Sequence, residues 1–251
     1  MSTSPASSEG GHVHVTVLIT LHGAFLNASS MQPISQAVAR YLPISRQGHL
    51  ELPGHGRRPW DADTTLTIED LARDVLEQLK FKNVEQKLEN SILVGESTGA
   101  LVLAAAAALI GARPLAGLFG EPPLSNGYGM RQVRLSLERQ NTDISSAMQN
   151  VFGWRTNENR DFSYLFTDPK YLSLIIHGLQ RTSNNAVPVH SVIEQHEIDA
   201  IPSHRNLLTC AMEGCGHRVL QNKRQYWALM LKSVLMAYYS GEWRRTKIPY
   251  S

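Results

Sequence analysis

The sequence predicts an α/β protein with a mainly parallel sheet that is flanked by helices. Short continuous apolar runs, typical of strands buried on both faces, alternate along the chain with longer segments of helical periodicity. The connections between these segments are short, as in repeated βα units joined by right-handed crossovers. The 251 residues are enough for one sizeable core of this kind.

Each of the first two predicted strands is followed by a helix. Residues 13–21 form a strand-like run, and residues 49–59 predict a short strand that leads into a Gly/Pro turn. The first helix has Pro33 near its first turn, and the second opens at Thr67 with Asp70 three residues later, the spacing of a helix-capping pair. Apolar residues recur at helical spacing in both: Ile34, Ala37, Val38 and Tyr41, then Ile68, Leu71, Val75 and Leu79.

The second half of the predicted sheet surrounds an alanine-rich helix. Buried strands are predicted at residues 91–94 and 115–119, with a helix over residues 100–111 between them. The last strand is predicted at residues 207–212, and a final helix over residues 221–240 follows it. These elements complete a sheet covered by helices, with no internal repeat.

The penultimate strand has three interpretations. By apolarity, residues 171–178 are the best candidate. Residues 187–193 are an alternative, but His190 and Ser191 suit poorly a strand that is buried on both faces. In the third interpretation, Asp168 starts a helix that runs to residue 183, which leaves the strand reduced or missing.

Composition and charge exclude several functional classes. The net charge of +2 gives no electrostatic reason to bind nucleic acid or a membrane surface. The longest apolar run, residues 100–110, is about half the length that a bilayer requires. Residues 1–12 lack the features of a signal peptide, so we expect a disordered tail and a cytoplasmic protein. Neither Cys210 and Cys215 nor His12 and His14 have further ligands nearby, so no metal site is expected.

A Gly-x-Ser-x-Gly pentapeptide places Ser97 directly after the strand predicted at residues 91–94. In a parallel sheet, reactive groups gather at the carboxyl ends of the strands. A serine on so tight a turn needs small neighbours, which Gly95 and Gly99 provide, and the next helix offers free N–H groups to an oxyanion. A glycine turn without chemistry is the alternative, because the pentapeptide also occurs by chance.

Two other segments favour a catalytic Ser97. His22 and Gly23 follow the first strand, so their loop lies at the same edge of the sheet and can supply a second N–H group. His217 lies between the last strand and the final helix, where a general base is expected. Ser97 and His217 are therefore a candidate nucleophile and base.

In order and spacing, these segments resemble the α/β-hydrolase superfamily. The matching pieces are LHGAF at 21–25, LELPGHGRRP at 50–59, VGESTG at 94–99 and EGCGH at 213–217. The resemblance implies Ser97 as nucleophile, His217 as general base and then acid, and an oxyanion hole from the N–H groups of Ala24 and Thr98. It also implies core segments at 13–123 and about 171–251, and between them a helical cap at about 124–170 with helices at 130–138 and 143–151.

The sequence departs from the family pattern in two ways. Many members open with an antiparallel hairpin, and we expect none here because the first predicted strand starts near residue 13. The family usually carries an aspartate in a Gly-x-x-Asp turn after the penultimate strand, whereas Arg181 stands three residues past Gly178.

Three carboxylates remain as candidates to orient His217. Glu121 follows the strand at 115–119, and haloalkane dehalogenases and a fungal lactone hydrolase of the superfamily place their acid at that strand end. Glu197 and Asp199 would serve if the penultimate strand were the run at 187–193. Glu121 is preferred, although a glutamate before two prolines can also simply cap a turn.

The implied reaction is acyl transfer to water, so we expect a hydrolase of a small-molecule carboxylic ester or lactone that needs no cofactor. A serine at position 97 argues against the dehalogenase and epoxide hydrolase branches, which use a carboxylate nucleophile. Thioester and C–C bond hydrolysis remain open, as does a non-catalytic ligand-binding protein of this fold. No nucleic-acid or membrane partner is expected, and a homodimer is one possibility.

Overall fold

A computed structural model describes residues 17–24, 26–59, 66–81, 85–125, 131, 160–179 and 191–243. Its centre is one sheet of six strands, all parallel to their neighbours. In chain order the strands are β1 (Val17–Leu21), β2 (Arg46–Leu50), β3 (Ser91–Glu96), β4 (Ala116–Gly120), β5 (Leu172–Leu179) and β6 (Leu207–Glu213). The predicted α/β class with a mainly parallel sheet is confirmed.

The strand order β2-β1-β3-β4-β5-β6 contains one reversal of direction. The chain passes from β1 outward to β2 and then returns to the other side of β1, where β3 pairs with it in the register Ile19 opposite Leu93. Beyond the carboxyl ends of β1 and β3, the two crossovers diverge and leave a crevice, the usual binding place in such sheets. The residues that follow these two strands include Gly23 and Ser97.

Helices cover both faces of the sheet. They are α1 (Gln32–Tyr41), α2 (Ile68–Phe81), α3 (Thr98–Leu109), α4 (Tyr164–Thr167), α5 (Gln195–Ala200), α6 (Val219–Asn222) and α7 (Arg224–Tyr239). Apolar residues of α2 and α3 belong to one buried cluster, and those of α1, α6 and α7 belong to the other. Burial of two apolar layers on one sheet supplies the main stabilisation of the fold.

The helix starts follow the sequence signals closely. Pro33 lies in the first turn of α1, where its missing N–H group leaves no intrahelical partner unsatisfied. Before α2, the Thr67 hydroxyl accepts from the Asp70 N–H group at 3.1 Å, and the Asp70 carboxylate accepts from the Thr67 N–H group at 3.0 Å. These reciprocal bonds confirm the predicted capping pair.

Several boundaries differ from the sequence-based expectations. β2 spans Arg46–Leu50, upstream of most of the predicted segment, because an edge strand tolerates exposed polar residues such as Arg46. The single helix expected over residues 221–240 is two helices, α6 and α7, which are separated at Lys223.

The penultimate strand is β5, so the choice of residues 171–178 is confirmed. A helix from Asp168 to residue 183 is wrong, because residues 172–179 are extended and pair with β4 and β6. Of the alternative run at 187–193, only residues 191–193 are described, and they form no strand. The predicted tail at 1–12, the segment on which the hairpin prediction depends and, apart from Arg131, the two predicted cap helices lie outside the described residues.

Candidate active site

Ser97 stands alone between β3, which ends at Glu96, and α3, which begins at Thr98. Its backbone has φ 55° and ψ −127°, a region that residues other than glycine rarely occupy. Its N–H group donates to the Gly120 carbonyl at 2.7 Å, and its own carbonyl accepts from the Ala100 N–H group at 2.9 Å. The surrounding hydrogen bonds therefore fix a strained turn that carries the serine side chain.

Three glycines around Ser97 are required by close backbone approach. A Cβ atom at Gly95 would lie 2.5 Å from the Ala100 Cα atom, and one at Gly99 would lie 2.4 Å from the carbonyl oxygens of Leu21 and His22. At Gly23, a Cβ atom would lie 2.8 Å from the Ser97 Cβ atom. The first loop and the serine turn are thus in direct contact.

The two predicted oxyanion residues flank this contact. Ala24 directly follows Gly23 and is half-buried. Thr98 is the first residue of α3 and is fully buried, and its hydroxyl oxygen has no hydrogen-bond partner among the described residues. The first-turn N–H groups of a helix have no partner within the helix, which makes that of Thr98 a candidate anion donor.

A carboxylate holds the loop that carries Ala24 at both ends. Glu51 contacts Nε2 of His22 at the start of the loop, and both of its oxygens lie 3.2 Å from the N–H group of Ala28 at the end. His22 is fully buried, and burial lowers its pKa. Nδ1 of His22 lies 2.7 Å from the Gly23 carbonyl oxygen, so the ring is fixed from both sides.

His217 lies in the loop between β6 and α6. Its Nδ1 atom is buried, has no hydrogen-bond partner among the described residues, and lies 3.8 Å from Oε2 of Glu121. The side chain is 29% exposed, so part of the ring remains open to a ligand. Because Nδ1 faces Glu121, Nε2 is the ring nitrogen left for a second partner.

Glu121 follows β4 and is completely buried, with φ 49°. Its carboxylate accepts hydrogen bonds from the N–H groups of Gly178 and Val192, the latter at 2.6 Å, and from the Ser191 hydroxyl at 2.7 and 2.9 Å. Such charge-assisted bonds hold a buried carboxylate in one orientation. The segment after β5, where the family usually carries its acid, here supplies donors to Glu121.

The two alternative acids have other partners. Glu197 caps α5 by accepting from the Glu194 N–H group at 2.7 Å, and its second oxygen accepts from the Ser125 hydroxyl. Asp199 is exposed and accepts from the Gln195 amide at 2.9 Å. Of the three candidates, the structure brings only Glu121 beside His217.

Sequence reasoning missed three polar residues around the site. Ser191 was considered only as a poor strand residue, yet that same polarity marked it as a buried hydrogen-bond donor. Glu51 and Glu96 belong to segments that carry the family resemblance, but nothing in their spacing indicated their contacts.

Burial raises the pKa of Glu96 and also of the Cys215 thiol, which disfavours Cys215 as a nucleophile.

A family model described as the alpha/beta hydrolase family matches residues 18–229. The chain belongs to this family. Among solved structures, this alpha/beta hydrolase is similar to the RedJ thioesterase of the prodiginine biosynthetic pathway of Streptomyces coelicolor, at 14% identity and a TM-score of 0.59, over 92% of this chain and 96% of that one. An esterase from Rhodococcus sp. gives 18% identity and a TM-score of 0.58, over 90% and 92%. At such identities the likeness shows the fold alone.

A third similar structure is a marine microorganism esterase, at 14% identity and a TM-score of 0.58, over 87% of this chain and 94% of that one. No curated protein matches the chain significantly. Within the described ranges of this alpha/beta hydrolase, no helix is long and apolar enough to cross a membrane. In the same ranges, no group of three or more His, Cys, Asp or Glu side chains could hold a metal ion.

Proposed function

We propose that the protein is a serine hydrolase that cleaves a small-molecule carboxylic ester or lactone through an acyl-enzyme on Ser97. The observation that carries this proposal is the strained backbone of Ser97 in contact with the loop of Gly23. Strain that the surrounding structure maintains is typical of functional sites. His217, which follows β6, supplies the base, and Glu121, which follows β4, supplies its orienting acid.

The first half of the reaction forms the acyl-enzyme. His217 takes the proton of the Ser97 hydroxyl at Nε2 while Oγ attacks the carbonyl carbon of the substrate. The N–H groups of Ala24 and Thr98 stabilise the negative oxygen of the tetrahedral intermediate. Its collapse breaks the bond to the alcohol oxygen, which takes the proton from His217 and leaves, or stays attached in a lactone.

The second half returns Ser97 to its starting state. Water gives a proton to His217, attacks the acyl carbon, and the acid leaves as Ser97 recovers its proton. Glu121 stabilises the positive charge of the His217 ring in both halves. The 3.8 Å between Nδ1 of His217 and Oε2 of Glu121 is longer than a hydrogen bond. Catalytic hydrogen bonds that are long in the absence of substrate tighten when substrate binds.

Thioester hydrolysis is the second candidate function. A thioester passes through the same acyl-enzyme and releases a thiol in place of an alcohol, so the same residues would serve. One of the similar structures is described as a thioesterase, so a chain of this fold can carry that reaction.

Turnover of p-nitrophenyl acetate, measured for wild type and for Ser97→Ala, tests the proposal. We expect the variant to lose at least about 1,000-fold in kcat/KM, because alanine has no hydroxyl group to attack the substrate carbonyl. The matched control is Ser30→Ala, whose hydroxyl is exposed and bonds to its own helical turn. Equal rates for Ser97→Ala and wild type would contradict the enzyme assignment and leave a binding protein of the same fold.

A further inference from the structure

Glu96 is a buried carboxyl group that the proposed reaction does not use. It is the last residue of β3, directly before Ser97, and is 1% exposed. Its Oε2 atom accepts a hydrogen bond from Nε2 of Gln221 at 3.3 Å, whereas Oε1 has no partner among the described residues. An incompletely bonded carboxyl group in the core costs free energy, so an apolar residue would be more stable at this position.

The contacts of Glu96 lead to α6, the short helix that follows His217. Gln221, the hydrogen-bond partner of Glu96, belongs to α6, and so does its neighbour Leu220. Leu220 packs against the end of β4 as well, where a Cβ atom at Gly120 would lie 2.4 Å from its Cγ atom. α6 is thus fixed at two strand ends, through Glu96 at the end of β3 and through Gly120 at the end of β4.

The placement of α6 determines where His217 stands. His217 lies two residues before α6, and it must face both Ser97 after β3 and Glu121 after β4. A small movement of α6 away from β3 would carry the ring away from Ser97 while leaving the strands unchanged. Catalytic geometry tolerates little displacement, and losses of about 100-fold follow from shifts of about 1 Å.

We propose that Glu96 is a positioning residue for His217: its carboxyl group fastens α6 to the end of the strand that carries Ser97. This inference rests on the proposed function, because it gives Glu96 a part in the same reaction. Two charged groups near Glu96 belong to the segment that it would position. The charges of His217 and Arg218 favour the ionised carboxyl group, although burial has the larger effect and raises the pKa of Glu96.

Two substitutions separate positioning from packing. Glu96→Leu keeps the volume of the side chain but removes its bonds to α6, so we expect a free energy of unfolding at or above wild type and a kcat at least about tenfold lower. Glu96→Gln keeps an acceptor for Gln221, so its kcat should stay within about threefold of wild type. KM should change less than about twofold in both, because Glu96 does not touch the substrate.

A double-mutant cycle tests the contact itself. Gln221→Ala should lower kcat in the wild type and have a smaller effect in Glu96→Leu, because the two residues act through one hydrogen bond. Additive losses would contradict the proposal, as would a wild-type kcat in Glu96→Leu. A loss in Glu96→Gln as large as that in Glu96→Leu would also overturn it, since the hydrogen bond would then not be the cause.

A measurement that does not depend on turnover tests the positioning role of Glu96 independently of the proposed function. In the Ser97→Ala background, the ring nitrogen resonances of His217 should shift with Glu96→Leu and stay close to their positions with Glu96→Gln. The resonances are assigned by their loss in His217→Gln. If Ser97→Ala retained wild-type turnover, the enzyme proposal would fail while the resonances still reported on Glu96, and unchanged resonances in Glu96→Leu would refute the positioning role.

Discussion

At Gly99, the serine turn has no room for a side chain. An added Cβ atom would lie 2.4 Å from two carbonyl oxygens of the first loop, and both belong to backbone that cannot rotate away. We expect Gly99→Ala to lower the free energy of unfolding by about 3 kcal/mol or more, as overpacking against backbone does. Urea unfolding of the purified variant measures this change.

Gly48 provides the matched control for this prediction. It lies in β2, and the nearest atom to an added Cβ is the Leu18 carbonyl oxygen at 4.0 Å, an ordinary contact. Gly48→Ala should therefore change stability by less than about 1 kcal/mol, with a gain from the smaller entropy of the unfolded chain. Equal losses in Gly48→Ala and Gly99→Ala would show that the close approach is not the cause.

Glu121 is the residue on which the catalytic assignment depends most. We expect Glu121→Gln to lower kcat by at least about 100-fold, because an amide cannot stabilise the positive ring of His217. Its NH₂ group would also face one N–H donor without an acceptor, because the N–H groups of Gly178 and Val192 bond to different oxygens of the carboxylate. Steady-state kinetics on p-nitrophenyl acetate gives the value.

Glu197→Gln is the control for Glu121→Gln, because it also replaces a buried carboxylate by an amide but at a residue that is not beside His217. Glu197 caps α5, so the variant should lose about 1 kcal/mol of stability but retain kcat within about threefold. An undiminished kcat in Glu121→Gln would remove Glu121 as the acid, and a large loss in Glu197→Gln would transfer the role to Glu197.

At the scale of elements, Glu51 fastens the loop between β1 and α1. It contacts His22 and the N–H group of Ala28, the two ends of the loop that carries Ala24. Glu51→Ala should release the loop and lower kcat by about 10-fold to 100-fold, since a misplaced oxyanion donor loses most of its effect. The kcat of folded Glu51→Ala, divided by that of wild type, checks this expectation.

Asp70→Ala is a suitable comparison, because Asp70 caps α2 and does not contact the loop. We expect it to lower the free energy of unfolding by about 1 kcal/mol and to leave kcat unchanged. If Glu51→Ala kept wild-type kcat, the loop would hold its position without the carboxylate, and Glu51 would contribute to stability alone.

At the scale of the whole molecule, the sequence was sufficient to predict the parallel sheet but not the bounds of its edge strand β2. The central strands are mostly apolar on both faces, so residues 91–94 were recognisable in isolation and residues 171–178 were the best of three alternatives. β2 was placed too late because Arg46 and Gln47 are polar, and only the edge position explains why they are extended. Pairing with a neighbour, which local pattern does not encode, decides such a strand.

The same distinction applies to the site. Ser97 and His217 could be proposed as nucleophile and base because their neighbours are glycines and strand ends, which are local features. The sequence could favour Glu121 among three candidate acids but not decide between them, because the contacts of Glu121 with Ser191 and Val192 span about 70 residues of chain. Contacts at such separation become visible only in three dimensions, and Glu51 and Glu96 were missed for this reason.

The pH dependence of stability is a property of the whole molecule that follows from its buried histidines. Burial lowers the pKa of His22 and of His177 below the ordinary value of 6.5. Between that value and their lower folded values, the unfolded chain binds protons that the folded chain does not, so stability falls as the pH falls. The raised pKa of Glu96 acts in the opposite direction, because folding favours its protonated form.

His177→Gln isolates one of these contributions. We expect urea unfolding of wild type to show a lower free energy of unfolding at pH 5 than at pH 7, and His177→Gln to show a smaller difference, by up to about 1.4 kcal/mol per pH unit over the affected range. His196→Gln is the matched control, because it removes a histidine whose side chain is 74% exposed. The same slope in wild type and His177→Gln would mean that His177 takes up its proton as readily when folded as when unfolded, and burial would then not govern the acid sensitivity of this fold.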